Sequence, residues 1–230
     1  MPTLGGGPHS PFGNGRCLAR AGRLCGSLVP RPGPADLARM ALVSDQRLRE
    51  LERKWRETGS VEDEAAYLRE RVRVGDLTQE RLELAAYCGH EGAGRATGAA
   101  GESHWYQRLD RVRGAPTLAA LTAARFEIER HREKPTPVFD HPARLLAALE
   151  SWVDRPTETS RLAVLDILGS AAFFDWPWGQ AVFAASHLAV PASAQKAAAL
   201  AIVALPSEDQ TRVRDEVIAW VLRHDDHLGL

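Results

Sequence analysis

The residues best suited to metal chemistry lie near the middle of the chain, where Cys88 and His90 flank one glycine and His104 follows. A zinc site usually needs four ligands with paired spacing, and the chain contains neither CxxC nor HExxH. The pattern therefore favours a structural interpretation, in which a buried Cys88 ends a helix and His90 lies near a helix cap.

A second group of potential ligands lies at the C-terminal end, in the sequence RHDDHLGL. His224, Asp225, Asp226 and His227 could chelate a metal weakly, but charged residues at a chain end are typical of a solvated tail. We therefore expect no metal site and no cofactor.

Signatures of nucleotide binding and of nucleophilic catalysis are absent from the sequence. Gly92, Gly94 and Gly98 follow no predicted strand and precede no Lys-Ser/Thr pair, so they form neither a dinucleotide fingerprint nor a P-loop. No serine lies in a GxSxG setting, and no basic partner for Cys88 is evident except His90. Paired carboxylates occur on Glu-rich helices, where they are typical of solvated faces. We expect a protein that is not an enzyme, with an unrecognised enzyme as an alternative.

The elements that carry these residues are clearest between residues 47 and 93, in RLRELERKWRETGSVEDEAAYLRERVRVGDLTQERLELAAYCGHEGA. Leu48, Leu51 and Trp55 follow the 3–4 spacing of one helix face. Because no polar residue interrupts this face, we expect it to lie in the core, with Trp55 fully buried.

Tight corners separate three predicted helices in this stretch. Gly59 ends the first helix, and Ser60 caps the second, whose first turn holds acidic residues. Gly75 ends the second helix, and Thr78 caps the third, which closes at Gly89. A short fourth helix is predicted around residues 94–97.

Composition favours an all-α fold and argues against several classes of partner. Ala, Leu, Glu and Arg dominate, β-branched residues are few, and 44% of the 230 residues are hydrophobic, which is enough for a core. A net charge of -1 argues against a nucleic-acid partner and against a polybasic membrane contact. No apolar run reaches the roughly 20 residues of a spanning helix. The odd, small number of cysteines rules out a disulfide framework and indicates a reducing cytoplasm.

Residues 1–39 differ from the remainder because glycine and proline interrupt any regular element. We expect a disordered tail there, and Met40, where order is predicted to begin, makes a plausible alternative start. Residues 40–230 are predicted to form a single all-α domain, with a three- to four-helix part at 40–100 and a second helical part at 102–230.

Apolar periodicities along the chain predict about nine or ten helices. We expect these helices to pack as stacked antiparallel hairpins, in an irregular α-solenoid or a helical bundle. Two segments of the chain are weakly similar, which is consistent with a duplicated unit. LERKWRETGS and LESWVDRPT both begin with Leu-Glu and place a Trp before a Ser or Thr.

The stretch LERKWRETGSVEDEAAYLRERVRVGDLTQERLELAAYCGHEGA closely resembles the N-terminal signature of uncharacterised all-helical proteins found in GC-rich bacterial genomes. A Trp-bearing segment, an Ala-rich helix, LESWVDRPTETSR and VRDEVIAWVLR are similar to the remainder of that family, which extends the resemblance over residues 42–224. The resemblance implies a bacterial origin and an all-α fold, and it carries no activity with it. The chain also loosely resembles tetratricopeptide and HEAT-type repeats, without their regular period.

We expect the protein to be a non-enzymatic helical scaffold or adaptor that binds another protein, because stacked helices present extended surfaces. The alternative is a DNA-binding regulator that uses a helix-turn-helix corner, with positive charge supplied by Arg69, Arg71, Arg73 and Arg81. Acidic residues between these arginines argue against the alternative, since a recognition helix needs a net basic face.

The candidate partner-binding residues are Trp176 and Trp178, which flank Pro177 in the sequence FFDWPWG. Tryptophan is enriched in interface hot spots, and a loop stiffened by proline presents it at low entropic cost. The competing interpretation is that the rings fold back onto the protein's own core, and we expect at least one of them to do so.

Overall fold

The computed structural model describes residues 33–132, 140–169, 180–189 and 194–223. Within these ranges every regular element is a helix, so the predicted all-α class is confirmed. None of the helices in these ranges is both long and apolar enough to cross a membrane. The chain divides into two units, Met1–Arg39 and Met40–Leu230, and of the first unit the structure describes Gly33 and the start of a helix.

The α-helices succeed one another in the order α1 (Pro34–Thr58), α2 (Val61–Val74), α3 (Gln79–Tyr87), α4 (Glu91–Thr97), α5 (Ala115–His131), α6 (Asp140–Asp154), α7 (Glu158–Gly169), α8 (Gln180–Ser186), α9 (Ala194–Val203) and α10 (Ser207–Leu222). Short 3-10 helices lie at Trp105–Arg111 and His187–Ala189. Helix α1 begins before Met40, the residue at which order was expected to begin, while residues 1–32 of the expected tail lie outside the described ranges.

The corners of the N-terminal stretch form as their cap residues predict. Gly59 ends α1 with a φ of 61°, and Gly75 ends α2 with a φ of 82°, in the left-handed region that favours glycine. The Ser60 hydroxyl accepts the backbone N–H of Asp63 at 3.1 Å, and the Thr78 hydroxyl accepts that of Arg81 at 3.3 Å. Both predicted N-caps are therefore confirmed.

Other helix ends differ from the sequence-based boundaries. Helix α4 begins at Glu91, earlier than expected, because the His90 side chain caps it by accepting the N–H of Ala93. At the last helix, Ser207 is the first residue of α10 and Pro206 occupies the capping position, where a serine would be the residue favoured by sequence. Leu162, an apolar residue of α7, is 53% exposed.

Helices α1 and α2 form an antiparallel hairpin. Arg47 pairs with Glu70 at 3.6 Å, whereas Lys54, further along α1, pairs with the earlier residue Asp63 at 2.6 Å. Next to Lys54, the Trp55 ring stacks on the Tyr67 ring of α2, with centroids 5.5 Å apart and an angle of 15° between the planes. Trp55 itself is only half-buried, so the expectation that it lies fully in the core is wrong.

The core of the second unit is rich in alanine where α5, α8 and α9 meet. Ala119 and Ala123 of α5, Ala185 of α8, and Ala197 and Ala201 of α9 are all fully buried. Side chains this small allow the helix axes to approach closely. Larger apolar residues complete the core on the neighbouring elements, namely Leu82, Leu84, Leu109, Leu145, Leu149, Val164 and Val182.

The last helix closes the described part of the chain by packing on α3 and α5. Its inward face consists of Val213, Val217 and Val221, all fully buried as their spacing predicts. Trp220 of the same helix is half-buried, and its ring lies 5.6 Å from the Arg81 guanidinium. Helix α10 therefore joins the N-terminal stretch to the C-terminal part.

Candidate functional site

Cys88 occupies a structural position at the end of α3. It is the C-terminal capping residue of that helix and is 2% exposed. Burial raises the pKa of its thiol to about 12, because a thiolate would lose its hydration in the apolar interior. The Cys88 thiol is therefore protonated at neutral pH, which makes it a poor nucleophile.

His90 is held by contacts at both ring nitrogens. Its Nδ1 accepts the backbone N–H of Ala93 at 3.2 Å, and its Nε2 lies 3.6 Å from Oε1 of Glu64. The capping role confirms the structural interpretation of the Cys-Gly-His sequence. In the part of the chain that the structure describes, no three His, Cys, Asp or Glu side chains come together as a potential metal site.

A cleft of about 870 Å³ opens beside His90, between the start of α2 and the segment around α4. Most of its lining residues are glycine or alanine, and close backbone packing accounts for two of the glycines. A Cβ at Gly101 would lie 2.9 Å from the Cα of Gly89, and a Cβ at Gly94 would lie 3.0 Å from the carbonyl oxygen of Ala99. These two glycines therefore permit close backbone contacts and do not by themselves indicate a ligand.

The arginines considered for DNA binding make intramolecular contacts. Arg71 is 3% exposed, and its guanidinium donates to Asp76 at 2.5 Å and to the carbonyl oxygens of Leu222 and Arg223 at 2.6 and 3.3 Å. Arg81 donates to the carbonyl oxygen of Trp220 at 3.0 Å. Two of the four arginines thus donate to backbone carbonyls at the end of α10.

The remaining two arginines of that group lie on the outer side of α2. Arg73 forms a paired contact with Glu70, with nitrogen–oxygen distances of 2.9 and 2.6 Å. Arg69 is exposed and reaches the carbonyl oxygen of Arg95 at 3.4 Å. The four side chains therefore point in different directions and form no continuous basic face.

A charged network joins α5 to α8 and α10 around a cavity of about 240 Å³. The buried Glu127 carboxylate accepts the N–H of Val182 at 3.0 Å. Asp209, also buried, receives hydrogen bonds from Arg130 and Arg212. This network resembles a catalytic cluster in composition, but each of these carboxylates has a partner within the fold, which is what a structural polar network requires.

A partly exposed apolar surface of the N-terminal stretch lies on α1. We call Leu48, Leu51 and Trp55 the hairpin face; all three are half-buried, and none belongs to the main core. The Trp55 ring has Tyr67 on one side, where Tyr67 is 5% exposed. The hairpin face is therefore anchored to α2 along one side and accessible along the other.

A second apolar surface, which sequence reasoning missed, lies on α9. Leu200 is 45% exposed and Val203 is 57% exposed, and the two residues lie on the same side of the helix. We call them the outer α9 face. The sequence does contain a signal for this surface. Helix α9 is apolar on almost every side, a pattern typical of helices that are covered all round.

Trp176 and Trp178 lie outside the described residues, as does the cluster His224, Asp225, Asp226 and His227. His104 is exposed and precedes the first 3-10 helix, where its Nδ1 lies 3.0 Å from the Ser103 hydroxyl.

Comparison of the chain with known proteins identifies no relative. No family model matches it, and no curated protein or solved structure does so.

Proposed function

We propose that the protein is a non-enzymatic helical scaffold that binds another protein, and that the hairpin face is a contact surface. The observation that carries this proposal is the half-burial of Leu48, Leu51 and Trp55 on a helix at the edge of the fold. An apolar face at helical spacing ordinarily packs fully against its own protein, whereas this one leaves part of each side chain accessible.

The geometry favours an amphipathic helix as the bound element. The antiparallel α1–α2 hairpin presents a ridge whose apolar residues are spaced for a third helix to lie alongside, and helix-in-groove binding uses such i, i+3, i+7 anchors. Trp55 suits the role of central anchor because Tyr67 holds its ring from behind, which lowers the entropic cost of binding.

Charges around the hairpin face would set the orientation of such a helix. Arg53 with Glu57, and Arg56 with Glu52, form exposed i, i+4 ion pairs on the outer side of α1. Exposed pairs of this kind contribute little stability, so they can exchange partners with charges on a bound protein. Trp176 and Trp178 are proposed as further contacts to the partner.

A capture experiment with matched variants tests this function. The full chain is immobilised, and any protein retained in stoichiometric amount from cell extract is purified and titrated against the parent, Leu48→Glu and Leu162→Glu. Leu48→Glu places a charge on the hairpin face, whereas Leu162→Glu places one on an exposed position of α7. We expect Leu48→Glu to weaken binding at least about tenfold while Leu162→Glu does not.

Thermal melts of the variants separate loss of binding from unfolding. Equal binding by the parent and both variants would show that the hairpin face is not the contact surface. Failure to retain any protein would contradict the scaffold function, and a salt-sensitive shift of DNA would support the DNA-binding alternative instead. A small molecule or metal that co-purifies in stoichiometric amount would point to an enzyme.

A further inference from the structure

His90 holds the start of α4 in a way that depends on the charge of its ring. The backbone N–H of Ala93 lies 3.2 Å from Nδ1 of the imidazole, and a backbone N–H can only donate. Nδ1 is therefore the unprotonated nitrogen, and the proton of the neutral ring lies on Nε2. Ser60 and Thr78 cap their helices differently, because a hydroxyl oxygen remains an acceptor throughout the neutral pH range.

The Glu64 carboxylate lies on the other side of the His90 ring. Its Oε1 is 3.6 Å from Nε2, and the side chains of His90 and Glu64 are 22% and 18% exposed. Glu64 reaches this position because residue 92 is glycine, since a Cβ on Gly92 would overlap the Glu64 carboxylate. Helices α2 and α4 thus bring a carboxylate to the ring nitrogen that carries the proton.

The cleft brings further charged side chains near the ring, from α2 and from α4. They are Glu62, Glu91 and Arg95. Glu62 and Arg95 pair with each other at 3.5 Å, and α3 lines the cleft with Ala86, which carries no charge. In the described part of the chain, the Glu64 carboxylate is the one within ion-pair distance of His90.

We propose that His90 is a pH-sensitive cap of α4. A proton taken up at Nδ1 occupies the lone pair that accepts the Ala93 N–H, so the capping hydrogen bond breaks. In exchange, the charged ring gains an ion pair with Glu64. Histidine is the side chain whose charge ordinarily changes between about pH 5 and pH 8, and the exchange is expected in that range.

Loss of the cap acts on one wall of the cleft. Helix α4 has only seven residues, so its first turn is a large part of the helix, and Ala93 in that turn is fully buried. A helix start without its capping acceptor leaves an N–H unsatisfied and frays more readily. Glu91, Gly94 and Arg95 of the same helix line the cleft. Proton uptake by His90 therefore loosens that wall and makes the shape of the cleft depend on pH.

An NMR titration of the full chain from about pH 8 to about pH 5 tests the proposal. The ring nitrogens of His90 report its protonation. The protection factor of the Ala93 amide, corrected for the intrinsic pH dependence of exchange, reports the cap. We expect Ala93 protection to fall at least about fivefold as the ring is protonated, which is the size of a lost N-cap. The two changes should share one midpoint.

Two variants at position 90 define the capped and uncapped limits. His90→Asn supplies a capping oxygen that does not titrate, so its Ala93 protection should stay high throughout the range. His90→Ala has no cap, so its protection should be low throughout. The parent should follow His90→Asn at about pH 8 and His90→Ala at about pH 5. Glu64→Gln removes the ion pair that the charged ring gains, and it should move the transition to lower pH.

Ala93 protection that stays constant while His90 takes up its proton overturns the proposal, and so does a ring that stays neutral down to about pH 5. An equal fall in the parent and in His90→Asn also overturns it, because the fall would then be a general effect of acid on the fold. A transition at the same pH in Glu64→Gln overturns the ion pair with Glu64.

Discussion

Trp55 illustrates how a residue can be correctly placed on a helix face and wrongly placed in the protein. Its spacing from Leu48 and Leu51 marks an apolar face, and the structure confirms that the ring points towards a neighbouring element. That element is a single helix, α2, so the ring is stacked on Tyr67 and only partly buried. Periodicity defines which residues share a face, but it carries no information on how much of the protein lies opposite.

The first prediction at this scale compares two tryptophans. Trp55→Ala should lower the free energy of unfolding by about 1–2 kcal/mol, because the ring is only partly removed from water. Trp105, which is 6% exposed, serves as the control, and Trp105→Ala should cost about 3–5 kcal/mol. Urea denaturation at neutral pH measures both, and equal losses would show that Trp55 is as deeply packed as Trp105.

Cys88 gives the second prediction, on reactivity. Since burial raises the pKa of its thiol to about 12, the native protein should alkylate at Cys88 far more slowly than the unfolded chain at neutral pH. A background with Cys17→Ser and Cys25→Ser isolates this thiol. The rate is followed by mass spectrometry with and without denaturant, and rapid modification of the native protein would contradict the buried position.

At the scale of helices, the features that could be predicted are those that depend only on residues adjacent in the sequence. Ser60, Gly75 and Thr78 act on the turn that immediately follows or precedes them, so their roles could be predicted from sequence. The sequence placed His90 near a helix cap but did not identify its side chain as the capping acceptor. A hydroxyl or carboxylate oxygen usually has this role, whereas here a ring nitrogen has it. The outer α9 face was missed because alanine can lie inside only where several helices approach closely, which is a tertiary property.

The α1–α2 hairpin provides the third prediction, on its dependence on pH. The hydrogen bond from Lys54 lowers the pKa of Asp63 below 3.8, and Arg73 lowers the pKa of Glu70 below 4.5. Both carboxyls have folded-state pKa values below their unfolded ones. Their contribution is therefore fully present above the unfolded pKa and is lost as pH falls through the lower folded values.

Thermal melts from neutral pH to below pH 3.8 measure this contribution. We expect the melting temperature of the parent to fall at the acid end of this range, and Asp63→Asn to show a shallower fall because one of the linked protons is removed. Asp166→Asn, an exposed change on α7, should follow the parent. Identical curves for the parent and Asp63→Asn would show that the Lys54–Asp63 pair does not contribute to stability.

At the scale of the whole molecule, the decisive contacts join residues that are distant in sequence. Arg71 and Arg81 lie in the N-terminal stretch and donate to carbonyl oxygens of Trp220, Leu222 and Arg223 at the end of α10. In sequence these arginines are indistinguishable from Arg69 and Arg73, which is why all four were grouped as a basic cluster. Only the three-dimensional arrangement separates the pair that holds α10 from the pair on the outer side of α2.

The fourth prediction tests whether these contacts hold α10 in place. Arg71→Met keeps much of the side-chain volume but leaves Asp76 and the Leu222 carbonyl without their donor, so it should cost about 3–5 kcal/mol. Arg69→Met, an exposed change on the same helix, should cost less than about 1 kcal/mol. Hydrogen exchange locates the effect: amides in the last turns of α10 should lose protection in Arg71→Met and keep it in Arg69→Met. Unchanged protection of the α10 amides together with a global loss of stability would show that Arg71 stabilises the core in general. A loss of protection confined to α10 would show that Arg71 holds this helix against the N-terminal stretch.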